Sequence, residues 1–396
     1  MDIREQLMLL QDNHQLRSLK TVDRLQNGHI DKNGKSLVSF ISNDYLGIAS
    51  DRELHEDFIQ NYLPANFHHG FSSASSRLLE GNASIFGLLE DKVAASYQKE
   101  ACIFMNSGYH ANLGVLSSLP QKGDLILSDK LNHASIVDGL KLSKAHFERY
   151  KHLDYHHLER LLEKNASLFR NIYIVSEALF SMDGDSADIL KLVELKKKYN
   201  TQLIIDEAHS IGVYGENGLG LCEENNVIND IDVIIAPCGK ALGGVGALVI
   251  TSSLIKEYLV NHCRSFIFTT ALPPINVAWL SFIWQQLPNY KTTRNKVFKL
   301  IDHFKSIMSE GNFELVSESY IQPFIVGENH KAIDLSNFLE EKGFYVAPIR
   351  YPTVPKNSAR LRISITANHS IKEIDQLAEI LLNYLKAHNY ENELVD

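Results

Sequence analysis

Two textures of apolar and polar residues alternate through the middle of the chain. Short runs rich in β-branched and apolar residues are typical of buried strands, and they lie at 101–105, 125–128, 171–177, 202–208, 232–237 and 246–251. The segment 190–199, between two of these runs, has helical spacing instead. Runs that are apolar on both faces indicate a mostly parallel sheet covered by helices on each side. The sequence therefore predicts a three-layer α/β domain.

The pattern changes near residue 290. An amphipathic segment there is followed by two strand-like stretches, "QPFIVG" (322–327) and "RLRISIT" (360–366), and by a final amphipathic segment. This order is typical of a smaller α+β domain. The predicted division of the chain is a helical arm at 1–45, a large α/β domain at 46–288 and a small α+β domain at 289–396.

Composition narrows the class of protein. The chain of 396 residues has a formal charge of −9, which argues against nucleic acid or an anionic membrane as the main partner. It contains no apolar stretch long enough for a transmembrane helix and no signal peptide at its start. The four cysteines, Cys102, Cys222, Cys238 and Cys263, form no CxxC pair. We therefore expect reduced thiols and a cytoplasmic location.

Polar residues that can take part in catalysis or binding lie at the ends of three predicted strands. One strand ends with Asp206 and His209, another ends with Ser176 and Glu177, and a third ends with Lys240. Each of them alone has an ordinary structural explanation, such as a cap, a paired surface group or a solvated loop residue. The carboxyl ends of parallel strands are where ligands bind in open α/β sheets. Together these residues predict one site at that edge.

A lysine and a strand-end aspartate are two requirements of an enzyme that uses pyridoxal phosphate (PLP). The Lys240 amine can form a Schiff base with the PLP aldehyde, and the Asp206 carboxylate can keep the pyridine nitrogen protonated. A phosphate site is also expected, where Ser107, Gly108 and Tyr109 open a helix after a strand. These features predict PLP as the cofactor.

His133 lies in a loop after another predicted strand, where its ring could lie against the flat ring of the cofactor. Other classes of site find less support. The chain has no P-loop, no strand-following GxGxxG, no HExxH and no GxSxG motif. Histidines are also adjacent at His68–His69 and at His156–His157, but neighbouring residues do not lie on the same face of a helix, so neither pair suits a metal ion. No metal site is predicted.

The combination of motifs resembles the α-oxoamine synthases, which are fold-type I PLP enzymes that condense an amino acid with an acyl thioester and release CO2. The resemblance covers nearly the whole chain. Its motifs are "SNDYLG" (42–47), "SGYHANLG" (107–114), "NHAS" (132–135), "SEALFSMDGD" (176–185), "DEAHSIGVYGENGLG" (206–220), "GKALGG" (239–244), "FTTALPP" (268–274) and "YPTVPKNSARLRISITANH" (351–369).

Within this family, the C-terminal motif looks most like the biotin-pathway branch. That branch joins L-alanine to a pimeloyl thioester, of CoA or of an acyl carrier protein, and gives 8-amino-7-oxononanoate. Glycine C-acetyltransferase, 5-aminolevulinate synthase and serine palmitoyltransferase remain alternatives with other substrate pairs. An aminotransferase or lyase without acyl transfer, or a non-catalytic binding protein on the same scaffold, also remains to be tested.

The resemblance implies a set of cofactor contacts. In it, Lys240 forms the Schiff base and later acts as a base, Asp206 pairs with the pyridine nitrogen, and His133 stacks on the ring. The remaining contacts are His209 and Ser176 near the phenolic oxygen O3′, and Ser107, Gly108 and Tyr109 around the phosphate.

The resemblance also implies substrate contacts and a homodimer. Thr269 and Thr270 resemble a hydroxyl pair that a second subunit lends to the phosphate. Arg362 resembles the arginine that binds the amino-acid carboxylate, for which a bidentate guanidinium is suited. Asn43 resembles a residue of the substrate site. Arg17, or alternatively Lys20, is expected to bind the distal carboxylate of the acyl chain.

Three positions depart from the family pattern. Pro237 replaces a threonine three residues before Lys240 and has no N–H to offer a phosphate. "SSASS" (72–76) replaces a glycine-rich loop in which the backbone approaches closely. Phe86 replaces a histidine of the following helix. These changes bear on phosphate and thioester binding and leave the reaction class intact.

Overall fold

The structure is a computed structural model that describes residues 2–387. The end of the predicted C-terminal domain, 388–396, and Met1 lie outside the described residues. The strands, in chain order, are β1 (Asp23–Arg24), β2 (His29–Lys32), β3 (Lys35–Ser39), β4 (Ala101–Met105), β5 (Leu125–Asp129), β6 (His146–Tyr150), β7 (Ile172–Glu177), β8 (Gln202–Asp206), β9 (Val233–Pro237), β10 (Ala247–Thr251), β11 (Ile321–Gly327), β12 (Phe344–Tyr345), β13 (Ala347–Ile349) and β14 (Ala359–Ser364).

The helices connect these strands and cover them. In chain order they are α1 (Ile3–Asp12), α2 (Arg52–Asp57), α3 (Leu63–Asn66), α4 (Ser84–Ser96), α5 (Gly108–Ser118), α6 (Ala134–Leu142), α7 (Tyr155–Asn165), α8 (Ile189–Tyr199), α9 (Leu221–Glu224), α10 (Ser253–His262), α11 (Arg264–Ile267), α12 (Pro274–Gln286), α13 (Lys291–Glu310), α14 (Asn329–Glu341) and α15 (Ile371–Ala387). Within residues 2–387, none of them has the length and apolar content needed to cross a lipid bilayer.

Internal contacts divide the chain into two compact units. The first unit contains the chain up to Arg52, the short segment Ser181–Asp185 and the chain from Thr292 onward. The second contains Glu53–Phe180 and Ser186–Lys291. The predicted division at 45/46 and 288/289 stays a prediction. The N-terminal segment groups with the C-terminal part of the chain, because its strands β2 and β3 join β12 in one sheet.

The second unit is built on a seven-stranded sheet in the order β4-β10-β9-β8-β7-β5-β6. Only β10 runs antiparallel to its neighbours. The predicted mostly parallel α/β sheet is therefore confirmed, and the six predicted strands correspond to β4, β5, β7, β8, β9 and β10. The sequence did not predict β6, because this edge strand carries charged and exposed residues rather than an apolar run.

The shared direction of five strands brings the polar residues at their ends close together. Since β4, β5, β7, β8 and β9 all run the same way, their carboxyl ends lie at one edge of the sheet. Helices α5 and α6 pack on one face, where Val115 and Ile136 join Ile204 and Val249 in an apolar core. This burial fixes the strand ends relative to the start of α5.

The first unit has two small sheets, in the orders β1-β2-β3-β12 and β11-β14-β13. The central strand β14 is buried along its whole length, including Arg360 and Arg362. Helix α15 packs through Ile374, Leu377 and Leu381, which are spaced as one helix face. The unit therefore holds two buried arginines on a rigid strand.

Candidate active site

Lys240 lies in the nine-residue connection (238–246) between the antiparallel strands β9 and β10. The connection is closed by the Cys238 N–H, which donates to the Gly246 carbonyl at 2.9 Å, and by the Gly243 N–H, which donates to the Lys240 carbonyl at 2.9 Å. Gly246 has a φ of +111°, and a Cβ at this position would lie 2.2 Å from Phe104. Glycine is therefore required for a turn that presents the half-buried Lys240 beyond the carboxyl end of β9.

Asp206 and Glu177 end the adjacent parallel strands β8 and β7 and lie opposite each other in the strand register. Asp206 accepts hydrogen bonds from the Ala208 N–H at 2.8 Å and from the Asn112 amide Nδ2 at 2.6 Å, which suits a carboxylate. Glu177 is buried, and both burial and the negative charge of Asp206 raise its pKa well above the ordinary value. The two carboxyl groups thus have different environments, and Glu177 favours its neutral form.

His133 follows β5 and stands at the start of α6. Its backbone N–H donates to Glu177 Oε1 at 2.6 Å. Burial lowers the pKa of the His133 ring, the charge of Asp206 raises it, and the charge of Lys240 lowers it. The ring is therefore within electrostatic reach of both groups. The structure brings together Lys240, Asp206, His133 and Glu177; the sequence predicted a role for the first three and placed Glu177 only at a strand end.

The start of α5 provides a site suited to an anion. Ser107 caps this helix, with its hydroxyl accepting the His110 N–H at 3.2 Å and lying 2.8 Å from His110 Nδ1. A Cβ on Gly108 would lie 2.6 Å from the ring of Pro237, so the ring that replaces the expected threonine packs against this glycine. Tyr109 is partly exposed, and its hydroxyl donates to a carboxylate on α6. Free backbone N–H groups at such a helix start bind phosphate readily.

Ser176 and His209 have less defined places in the site. The Ser176 hydroxyl donates to the Glu177 carbonyl at 3.1 Å. Because side chains alternate along a strand, Ser176 faces the side of the sheet opposite to Glu177. His209 is buried in the turn that follows β8. The contacts of both residues with O3′ remain predictions.

Thr269 and Thr270 lie between α11 and α12. Asn106, the residue before Ser107, donates from its Nδ2 to Thr269 Oγ1 at 3.2 Å and to the Thr270 carbonyl at 2.8 Å. The two threonines therefore contact the segment that leads into α5 within their own chain. Their contribution to a second subunit remains a prediction.

The loop that departs from the glycine-rich pattern is tied down by its own contacts. Ala74 has a φ of +48°, a conformation that glycine adopts without strain, so the replacement retains the backbone shape at a cost. The Ser73 hydroxyl donates to the Leu272 carbonyl at 2.7 Å, and the Ala271 N–H donates to the Ser75 carbonyl at 2.9 Å. The loop is thereby held to the segment that follows Thr270.

Phe86, the third departure, is fully buried beneath the guanidinium of Arg77, which lies 4.2 Å from the ring centroid. Arg77 also pairs with Glu90 at 2.9 Å. Glu90 accepts the Phe104 N–H at 2.9 Å, and Arg77 donates to the Phe104 carbonyl at 3.2 Å. A phenylalanine here therefore supports a buried ion pair that covers the unpaired edge of β4.

In the first unit, Arg362 on β14 is buried and held at three nitrogens. Its Nε donates to the Ser181 carbonyl at 2.6 Å, and its terminal nitrogens donate to Ser364 Oγ at 2.7 Å and to the Tyr45 hydroxyl at 3.2 Å. The Tyr45 hydroxyl donates in turn to Asn43 Oδ1 at 3.1 Å. Tyr45 thus joins the two residues that the sequence predicted as substrate contacts.

A second basic group of the first unit contains Arg17. This exposed side chain donates to Thr353 Oγ1 at 2.9 Å. Burial lowers the pKa of Arg350, and the nearby positive charge of Arg17 lowers it further. Arg350 also donates to the His14 carbonyl. Two guanidinium groups therefore lie near each other, and within residues 2–387 neither has a carboxylate in salt-bridge range. Lys20 is exposed.

The sequence reasoning missed four residues of these clusters. Asn112 and Tyr45 stand inside motifs that were identified, and a polar residue at a buried motif position was the available signal. Glu177 was noted at a strand end but received no role. Arg350 gave no local signal, because its relation to Arg17 is made only by folding.

Comparison with known proteins supports the same chemistry. The sequence model of the family "Aminotransferase class I and II" matches residues 36–381. The 8-amino-7-oxononanoate synthase of Haemophilus ducreyi is 47% identical over 371 residues, which cover 92% of this chain and 96% of that protein. The structure of 8-amino-7-oxononanoate synthase from Francisella tularensis has a TM-score of 0.74 at 32% identity, and covers 89% of this chain and 99% of its own. A serine palmitoyltransferase variant from S. paucimobilis, with PLP and myriocin bound, has a TM-score of 0.87 at 26% identity and covers 97% of both chains.

Proposed function

The chain belongs to the class I and II aminotransferase family, and from this premise we propose that it catalyses the decarboxylative condensation of L-alanine with a pimeloyl thioester, giving 8-amino-7-oxononanoate. The predicted resemblance to the α-oxoamine synthases is confirmed, and the chain is a PLP-dependent acyltransferase with the fold-type I architecture. The identity of the two substrates is the part that we propose.

The residues of the second unit fit the cofactor: an amine, a carboxylate, an imidazole and the start of a helix. When bound, PLP supplies an aldehyde and a protonated ring that stabilises negative charge at the α-carbon of an amino acid. Lys240 Nζ would hold the aldehyde, and its amine, when free, would serve as the general base for the α-proton. Asp206 would keep the ring nitrogen protonated, and His133 would lie against the face of the ring.

Arg362 binds the carboxylate of alanine in this proposal. A guanidinium carries five N–H donors, and three of those of Arg362 donate to protein oxygens. The other two N–H groups have no acceptor among the described residues. They suit a carboxylate, which accepts two parallel hydrogen bonds from one guanidinium. Asn43 supports this residue through Tyr45.

The observation that carries the choice of pimeloyl is the pair Arg17 and Arg350. Burial and the nearby positive charge of Arg17 lower the pKa of Arg350. Two neighbouring guanidinium groups with no carboxylate in salt-bridge range within residues 2–387 favour an anion between them. The distal carboxylate of a pimeloyl chain is such an anion. Acetyl and palmitoyl chains carry no distal charge and would leave both guanidinium groups without a counter-ion.

Two further aspects belong to the proposal. We propose a homodimer in which Thr269 and Thr270 contact the phosphate of the partner's site. We also propose a cytoplasmic location, which is supported by four buried cysteines that form no disulfide within the described residues. The acyl group is delivered by CoA or by an acyl carrier protein, two donors that share the same pimeloyl chemistry.

The test is a matrix of acyl thioesters and amino acids, with free thiol and the ketone product measured by absorbance and mass spectrometry. Pimeloyl thioester with L-alanine should be the best pair, and the pimeloyl methyl ester should be a poor substrate because its distal charge is missing. Arg350→Met should abolish this preference for the free acid, whereas Arg160→Met, an exposed arginine of α7, should not. If acetyl-CoA with glycine is the best pair, the pimeloyl assignment is wrong and the PLP chemistry stands.

A further inference from the structure

A chain of buried hydrogen bonds connects Asp206 to the ring of His133. The amide Nδ2 of Asn112 on α5 donates to Asp206 Oδ2 at 2.6 Å and to Ser135 Oγ at 3.1 Å. Ser135 Oγ lies 2.8 Å from His133 Nδ1, and the Ser135 backbone N–H donates to the same nitrogen at 3.3 Å. Asn112 is 2% exposed and Ser135 is 1% exposed, so water does not compete for these bonds.

The direction of these bonds fixes the position of one proton. A backbone N–H can only donate, so His133 Nδ1 must be an acceptor and carries no proton. The Ser135 hydroxyl accepts from Asn112, and it therefore has its own hydrogen available for Nδ1. The neutral ring must then carry its proton on Nε2. A doubly protonated ring would turn an N–H toward the Ser135 N–H, and burial opposes this charge as well.

The loop that carries His133 is anchored independently of its ring. Asn132 Nδ2 donates to the Val175 carbonyl at 2.9 Å, and Asn132 Oδ1 accepts the Glu177 N–H at 3.1 Å. Glu177 then accepts the His133 N–H. The backbone of the loop is thus bound to β7, and the ring is oriented separately by Ser135. A change in Ser135 can therefore alter the ring without releasing the loop.

We propose that Asn112 and Ser135 are positioning residues that join the Asp206 carboxylate to the His133 ring and hold that ring as the neutral Nε2–H tautomer. The cofactor-binding roles of Asp206 and His133 come from the proposed function, on which the kinetic consequence of this inference rests. The tautomer itself depends only on the hydrogen bonds within the second unit. Asn112 sets the carboxylate orientation, and Ser135 sets the direction in which the ring can donate.

The direct test is nitrogen NMR of the full-length protein labelled in its histidine rings, recorded with and without PLP. His133→Gln identifies the His133 signals. We expect an unprotonated Nδ1 and a protonated Nε2 in the wild type, and a shift toward mixed tautomers in Ser135→Ala. Ser118→Ala, which removes another buried hydroxyl that bonds to a carbonyl of α5, should leave the signals unchanged. A wild-type ring protonated on Nδ1, or on both nitrogens at neutral pH, would overturn the inference.

The second test is the dissociation constant of PLP, measured by titrating the apoprotein and following absorbance. Asn112→Leu removes a hydrogen bond to a charged carboxylate, and we expect PLP to bind roughly 10-fold more weakly or worse. Asn165→Leu, at a buried asparagine of α7 whose amide donates to the Leu161 carbonyl, is the matched control and should retain wild-type affinity. Equal affinities for Asn112→Leu and wild type would contradict the role of Asn112. If the wild type itself did not bind PLP, the proposed function would fail, while the NMR result would still decide the tautomer.

Discussion

The hydroxyl of Tyr45 offers a sharp test of the carboxylate site, because Tyr45→Phe removes one oxygen and changes almost nothing else. The ring is fully buried and packs against Tyr320 at 4.3 Å between centroids, so phenylalanine leaves no cavity. The lost oxygen accepts from Arg362 and donates to Asn43. A hydrogen bond to a charged group contributes about 1.5–3 kcal/mol. The bond from Arg362 to the Tyr45 hydroxyl is 3.2 Å long, so we place its contribution at the lower end of this energy range.

A loss of about 1.5 kcal/mol corresponds to roughly a 10-fold fall in kcat/KM for alanine, since 1.36 kcal/mol is a factor of ten. Most of the change should appear as a higher KM for alanine, because Arg362 binds the ground-state carboxylate, while the KM for the thioester should stay within about two-fold. Steady-state assays at fixed saturating thioester measure this directly. Tyr320→Phe is the matched control, with thermal unfolding of both variants as a check on the fold. Equal effects of the two substitutions, or an unchanged KM for alanine in folded Tyr45→Phe, would refute the reasoning.

Three further outcomes are expected. Lys240→Ala should bind PLP without the Schiff-base absorbance and lose turnover by several orders of magnitude, because nucleophile and base are removed together; a borohydride-reducible spectrum in this variant would contradict the assignment. Mixing inactive Lys240→Ala subunits with an inactive Thr269→Val/Thr270→Val variant should restore part of the activity if each site is shared between subunits, and no recovery despite measured subunit exchange would argue against sharing. Because the folded state raises the pKa of Glu177, the unfolded chain releases this proton first, and the wild type loses stability as pH rises above about 4.5 until the folded carboxyl also ionises. Glu177→Gln should remove this loss, so the difference in melting temperature between variant and wild type should grow over that pH range, and a difference independent of pH would count against the raised pKa.

Much of the fold could be read from local patterns. Buried strands in a parallel sheet are apolar on both faces, so β4, β5, β7, β8, β9 and β10 were all visible as short runs. The edge strand β6 was not visible, because one exposed side admits charged residues. The grouping of the N-terminal segment with the C-terminal part was also hidden, since strand pairing between β3 and β12 joins residues that are hundreds of positions apart.

The candidate site divides in the same way. That Lys240, Asp206 and His133 lie close together could be predicted because each ends or follows a strand, and parallel strands bring their ends to one edge of the sheet. The face of the sheet on which the Ser176 side chain lies could not be predicted, because a shift of one residue along a strand moves a side chain to the opposite face.

What the sequence by itself determined is therefore the order of the strands along the chain and the reactive groups at their ends. The tertiary structure decided which polar groups are joined by hydrogen bonds. Asn112 reaches Asp206 across 94 positions of sequence because α5 packs on the sheet, and Tyr45 reaches Arg362 across 317. A hydrogen bond depends on distances of a few tenths of an ångström and on the direction of a donor. Periodicity and residue type determine which element forms, but only the packing of one element on another fixes such distances.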